Sequence, residues 1–199
     1  MAELWTNPDP TAWADALARY PAVVAAQEVS RLVDLDTWYR EEFPGILAAR
    51  TPLRLEHDEL IAITEWKMKR GVWRARNLAL VRGNDPAEVA TRGAEAFAAL
   101  PDPRRPITRL TQLAGVGPAT ASAVLAAISP EIFPFFDELI AEQIPDLGPT
   151  VFTAGYYARY AEQLRARAEA LSAGGEVWTA HAIGQALWAE SGGKAVARA

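Results

Sequence analysis

The stretch Ile107-Thr-Arg-Leu-Thr-Gln-Leu-Ala-Gly-Val-Gly-Pro-Ala-Thr-Ala-Ser-Ala-Val-Leu125 holds the residue types best spaced to do chemistry. Leu110 and Leu113 give a first helix its buried face. Gly115 and Gly117 flank Val116 in a turn that reads as too tight for side chains at both ends. Pro118 suits the start of a second helix, where a preset φ helps and no N–H is required. Ala121 is small where the two helices must cross, and Val124 and Leu125 return to the core. Residues 107–127 thus read as a helical hairpin. Its turn offers backbone N–H groups at a helix N-terminus, an anion site of the kind that grips phosphates without reading bases. Gly115, Val116, Gly117, Ala119 and Thr120 are the positions expected to make that contact.

A second stretch, Trp66-Lys-Met-Lys-Arg-Gly-Val-Trp-Arg-Ala-Arg76, interleaves aromatic and basic residues. Lys67, Lys69, Arg70, Arg74 and Arg76 stand in ten residues that contain no acid. Arginines and lysines neutralise phosphates while aromatic faces stack on bases, so Trp66 and Trp73 are candidates for a base pocket. The other reading is a helix end with both tryptophans in the core and the cations solvated near the C-terminal dipole. Arg104, Arg105 and Arg109 precede the hairpin, either flanking the same phosphate path or lying in a solvated linker. His57 and His181 have no ligand-spaced partners, so no metal is expected from side chains. No Walker loop, Ser-His-Asp order or Rossmann fingerprint is present.

These motifs need elements to hold them, and nearly all of the chain reads as helix. Ala, Leu, Arg and Glu dominate, Pro and Gly punctuate, and period-two alternation is missing. Helices are expected over 11–20 with Thr11 as N-cap, 25–33, 36–42 before Pro44, 57–70 stopped by Gly71, and 73–81. More follow from Asn84-Asp85-Pro86 to about Leu100, over 152–171, and over 176–190 after Gly174-Gly175. Pro101 to Pro106 reads as a linker, Tyr156, Tyr157 and Tyr160 as core, and 191–199 as a frayed tail. A chain of 199 residues can bury a core as one all-α domain. Without cysteine, disulfides, iron–sulfur clusters and thiol nucleophiles are excluded. No signal peptide or membrane-spanning run is evident, so a soluble, intracellular protein is expected, cytoplasmic and, in a bacterium, nucleoid-associated. With 25 acidic against 20 basic residues the net charge is −5, which argues against tight non-specific binding to nucleic acid but leaves room for a focused basic site.

Leu113-Ala-Gly-Val-Gly-Pro-Ala-Thr-Ala-Ser-Ala-Val-Leu125, followed by Phe133-Pro-Phe-Phe-Asp137, resembles the signature of the helix-hairpin-helix (HhH-GPD) superfamily of base-excision DNA glycosylases. The likeness covers about residues 107–140 and extends to Leu60-Ile-Ala-Ile-Thr64, similar to an inner helix of the glycosylase barrel. It implies an all-α fold with a helix-hairpin-helix core, resembling a trimmed HhH-GPD domain, and DNA as the partner. It also implies a role for Asp137, which falls at the spacing of the catalytic aspartate in the endonuclease-III-like branch. There such a carboxylate orients or deprotonates water and stabilises an oxocarbenium-like sugar after the base has flipped into a pocket. Phe135 and Phe136 would adjoin that pocket, and hairpin carbonyls would hold K+ or Na+. Bifunctional members carry a Schiff-base lysine two residues after the second hairpin glycine, where this chain has Ala119; a lyase step through that position is excluded. The stretch between Leu60 and the hairpin is also shorter than in typical members. The chain is similar, too, to a group of helix-hairpin-helix proteins of unassigned activity that share Trp-Lys-x-x-Arg-Gly and Gly-Val-Gly-Pro-Ala-Thr-Ala-Ser. Asp137 reads equally as the N-cap of a helix starting at Glu138. Two functions therefore stand: a monofunctional glycosylase, or a non-catalytic DNA-binding or protein-interaction module that keeps the hairpin.

Overall fold

Helix-favouring composition is matched by the computed structural model, which describes residues 3–196 and, among them, contains helices, turns and loops but no strand. The N-terminal helices are α1 (Glu3–Thr6), α2 (Pro10–Ala18), α3 (Tyr20–Ala26), α4 (Leu32–Thr37) and α5 (Phe43–Ala48), with a π-helical turn at Trp38–Glu42 joining the last two. Asp9, not Thr11, caps α2: its Oδ1 accepts the Thr11 N–H at 2.9 Å. The helix expected over 25–33 does not form, because Glu28 and Arg31 take φ values of 53° and 62° and turn the chain between α3 and α4. Pro44 opens α5 rather than stopping its predecessor, since the first turn of a helix needs no N–H from it.

The middle of the chain follows the sequence more closely. Helix α6 (His57–Arg70) starts where expected, with the Glu56 N–H donating to the Glu59 carboxylate at 2.8 Å, and Gly71 ends it. Helix α7 (Ala75–Arg82) begins two residues later than expected, and α8 (Pro86–Ala98) is capped by Asp85. Arg105 and Pro106 already belong to α9 (Arg105–Leu110), so the linker is shorter than the proline pattern suggests. Then come α10 (Pro118–Ala126), α11 (Glu138–Ala141) and α12 (Ala154–Ser172), the last carrying the three buried tyrosines. Helix α13 (Ala180–Glu190) starts at the Thr179 cap, four residues after the expected Glu176.

Helix α6 is the axis of the fold, packing against α4, α7, α8 and α10, while α2 and α3 close onto α13. One contiguous apolar core collects side chains from Leu4 to Ala189. Buried in it is Asp36, whose Oδ1 accepts from the Tyr20 hydroxyl and from Trp66 Nε1, both at 2.9 Å, and whose Oδ2 accepts from Arg40 Nε at 2.7 Å. The tail expected to fray from Ser191 does not do so at its start. Gln27 Nε2 donates to the Gly192 carbonyl, Gly193 is buried, and α14 (Gly193–Val196) follows; residues 197–199 lie outside those described. No helix among the described residues is long and apolar enough to cross a membrane.

Candidate functional site

The turn between α9 and α10 is built asymmetrically. Gly115 has φ +76°, and a Cβ there would stand 2.6 Å from the Asn77 carbonyl oxygen and 2.9 Å from Leu80 Cβ, so α7 lies directly against the turn. Gly117 has extended backbone (φ −98°, ψ −179°), and a Cβ there would meet open space. The turn is therefore tight at its first glycine only. Asn84, which no local motif marks as a site residue, clamps the same turn: it donates from Nδ2 to the Ala114 carbonyl and accepts the Ala114 N–H at Oδ1, both at 2.9 Å. Val116, Ala119 and Thr120 are buried, so Val116 packs into the core instead of presenting a side chain for contact, and the approachable surface of the turn is its backbone.

Asp137 is held by the extended segment 133–136, whose backbone groups are bonded one after another. The Tyr157 hydroxyl donates to the Pro134 carbonyl at 3.2 Å and the Tyr160 hydroxyl to the Phe135 carbonyl at 2.7 Å. His181 Nδ1 accepts the Phe135 N–H at 3.3 Å, and Ser122 Oγ accepts the Phe136 N–H at 3.0 Å. Burial pushes both tyrosine hydroxyls well above their ordinary range, so they remain donors. Burial, with the Arg70 charge adding to it, pulls His181 down to about 3, which keeps Nδ1 free to accept. Asp137 itself caps α11, its Oδ1 accepting the Leu139 N–H at 2.9 Å, and its Oδ2 lies 3.4 Å from Arg70 Nε. Ser122 and His181 reach this segment through backbone partners 14 and 46 residues away in sequence, and no local pattern marks them for it.

Between the turn and Asp137 opens a cavity of about 320 Å³. Its walls combine hairpin residues (Gly115, Gly117, Pro118, Ala119, Thr120), the aromatic pair Phe135 and Phe136 with Phe152, and the charged groups Lys67, Arg70, Arg74, Asp137, Glu138 and Lys194. Lys194 lies 3.6 Å from Glu138, within ion-pair distance. Burial, with Arg74 adding to it, lowers the Lys67 amine below the usual lysine range, while Asp137 acts the other way. Glycine turn, basic segment and carboxylate, separate in sequence, thus share one recess.

Other expected site residues fall elsewhere. Trp66 is fully buried, stacked on Tyr39 with ring centres 3.9 Å apart and bonded to Asp36; it packs against Phe135 and is not among the residues that line this cavity. Trp73 is half-exposed, holds the Lys69 ammonium over its ring and is not among the lining residues; Lys69 also donates to the Ser30 carbonyl. Arg70 is no surface phosphate contact, since it is 2 % exposed. Arg76 is exposed on α7. Arg109 lies 3.9 Å from Glu95 and Arg105 lies 3.5 Å from Asp102, while Arg104 lines a separate recess between α9 and α12. These three arginines do not converge on the cavity. No three His, Asp or Glu side chains among the described residues gather as a metal site.

In comparison with known proteins, the chain matches no family model, no curated protein and no solved structure.

Proposed function

We propose that the protein binds duplex DNA with the 115–117 turn against a backbone phosphate and takes one flipped base into the adjoining cavity, where Asp137 promotes hydrolysis of the glycosidic bond. The observation that carries this reading is the shared recess: approachable turn backbone, four cations, aromatic walls and a positioned carboxylate all line it. Its volume lies at the lower end of ligand pockets, about 300–1,000 Å³, which suits a single base. The resemblance of residues 107–140 to glycosylases is the second support, and it implies a hairpin of the DNA-gripping kind. In the proposed step, water oxygen bonds to C1′ of the sugar as the C1′–N bond breaks. The bonding pair leaves with the base, the water proton passes to Asp137, and the carboxylate charge stabilises the cationic sugar between. Lys67 and Arg74, on the walls of the same recess, attract phosphates on either side.

One observation favours a second reading, a DNA-binding module without catalysis: Asp137 already serves both as the α11 cap and as the neighbour of Arg70. Binding to plain and damaged duplexes over a salt series, together with base release from the damaged set, separates the two. Salt-sensitive binding with release supports the enzyme, and salt-sensitive binding alone supports the module. No salt-sensitive binding rejects both.

A further inference from the structure

Arg70 ends the buried face of α6, and its guanidinium lies among four aromatic rings, 4.2 Å from the centre of Trp188, 5.1 Å from Phe135 and 5.4 Å from both Trp66 and Tyr20. A cation this deep is costly unless its charge and its N–H groups are answered. A guanidinium has five N–H donors. Nη1 donates to the Tyr20 hydroxyl at 2.9 Å. Nε and Nη2 are buried without a hydrogen-bond partner among the described residues, Nε having Asp137 Oδ2 at 3.4 Å as a charge contact. Asp36, the nearby buried acid, is already taken by Tyr20, Trp66 and Arg40, and it reaches Arg70 only through the Tyr20 hydroxyl. These buried, unpartnered donors belong to a residue that lines the cavity, with Lys67 and Arg74 on the same walls.

Building on the reading that a base enters this cavity, we propose that Arg70 selects uncharged bases that present a carbonyl oxygen, and selects against amino-only bases and against N-alkylated cationic bases, including those that keep a carbonyl. A carbonyl oxygen accepts from the unanswered guanidinium N–H groups; an exocyclic amine offers a donor to a donor. A methylated purine bearing a positive charge meets four cations and two carboxylates, both carboxylates already engaged, Asp137 by Arg70 and Glu138 by Lys194. The same cations favour a base that departs as an anion, its negative charge spread onto the carbonyl oxygen facing Arg70. Arg70 is in this account a specificity residue and Asp137 the catalytic one.

The test has two arms, with the full chain in both. Free uracil and hypoxanthine are titrated against adenine and 3-methyladenine, using the fluorescence of Trp188 and Trp66, which flank Arg70. Base release and binding are then measured on duplexes carrying one uracil, hypoxanthine or 7-methylguanine. The carbonyl-bearing bases are expected to bind about ten- to a hundredfold more tightly than adenine or 3-methyladenine, the range for one hydrogen bond to a charged group. Arg70→Lys should reduce the preference and Arg70→Met abolish it. Should Arg70→Met fail to fold, Arg70→Lys and the wild-type preference still decide. Equal binding, a preference for adenine or 3-methyladenine, better use of 7-methylguanine, or no binding or release of any base in either arm overturns the proposal. Carbonyl preference for free bases without any duplex binding upholds Arg70's role and rejects the DNA reading. Base release from duplexes without that preference does the reverse.

Discussion

Gly115 and Gly117 are two residues apart in one turn, yet alanine at each should have opposite consequences. At Gly115 the methyl group would be placed 2.6 Å from the Asn77 carbonyl and 3.0 Å from the Val81 nitrogen, backbone atoms of α7 that cannot rotate away. The left-handed backbone (φ +76°) costs a residue with a Cβ about 1–2 kcal/mol, and forcing α7 aside adds roughly 1–3 kcal/mol. Lower chain entropy in the unfolded state returns less than about 1 kcal/mol. Gly115→Ala should therefore lose about 3 kcal/mol, a fall in Tm of about 10 °C for a chain of this size. At Gly117 the backbone is extended and a Cβ meets nothing within 4 Å. Alanine is a poorer N-cap than glycine but gains the same entropy term, so stability should change by less than about 1 kcal/mol. Its methyl group would instead stand where a phosphate must approach, and duplex affinity should fall about tenfold, the worth of one charge-assisted hydrogen bond. Urea or thermal unfolding and duplex binding by anisotropy read the two effects separately. A Tm for Gly115→Ala within 2–3 °C of wild type, expected for roughly 1 kcal/mol or less, would refute the packing argument. Unchanged duplex affinity for Gly117→Ala would refute the phosphate contact.

Three further outcomes follow from the site. His181 is held neutral at about 3 in the fold but takes a proton near its ordinary value once unfolded, so stability should be full above pH 6.5 and decline as pH falls toward 3. Between pH 7 and pH 5 the loss should be about 2 kcal/mol, visible in urea midpoints and reduced in His181→Gln. Tyr160→Phe leaves the buried Phe135 carbonyl without its donor; it should cost about 1–3 kcal/mol in denaturation and slow base release by freeing the segment that carries Asp137. Charge reversal of Lys67 and Arg74 together should lower the slope of log affinity against log salt by about two, as each lining cation loses one phosphate, whereas Lys69→Glu should change it less because Lys69 is engaged by Ser30 and Trp73.

Local features made part of this arrangement legible in the sequence. The helical hairpin, α6, the α8 start at Asn84-Asp85-Pro86 and the α11 cap at Asp137 rest on short-range rules of spacing and capping, and they stand where those rules put them. The N-terminal boundaries were not readable, because Glu28 and Arg31 adopt left-handed backbone without a glycine to announce it. Arg70 stands in a run of basic residues whose composition points to the surface, yet it is buried. Its spacing held the signal, since Ile63, Trp66 and Arg70 stand at i, i+3 and i+7 on one buried stripe. Ser122, His181 and Asn84 left no such trace: each bonds to backbone that only tertiary folding brings near.

The most direct test of the account is base release from a panel of damaged duplexes by wild type and by Asp137→Asn. Asparagine keeps an oxygen for the Leu139 N–H but removes the charge that faces buried Arg70, so the variant should unfold at a lower midpoint than wild type, and release is compared at a temperature where unfolding curves show both proteins folded. The account predicts release by wild type from at least one uncharged, carbonyl-bearing lesion and its loss in Asp137→Asn. Release retained in full by the variant, or no release by wild type from any member of the panel, would contradict it.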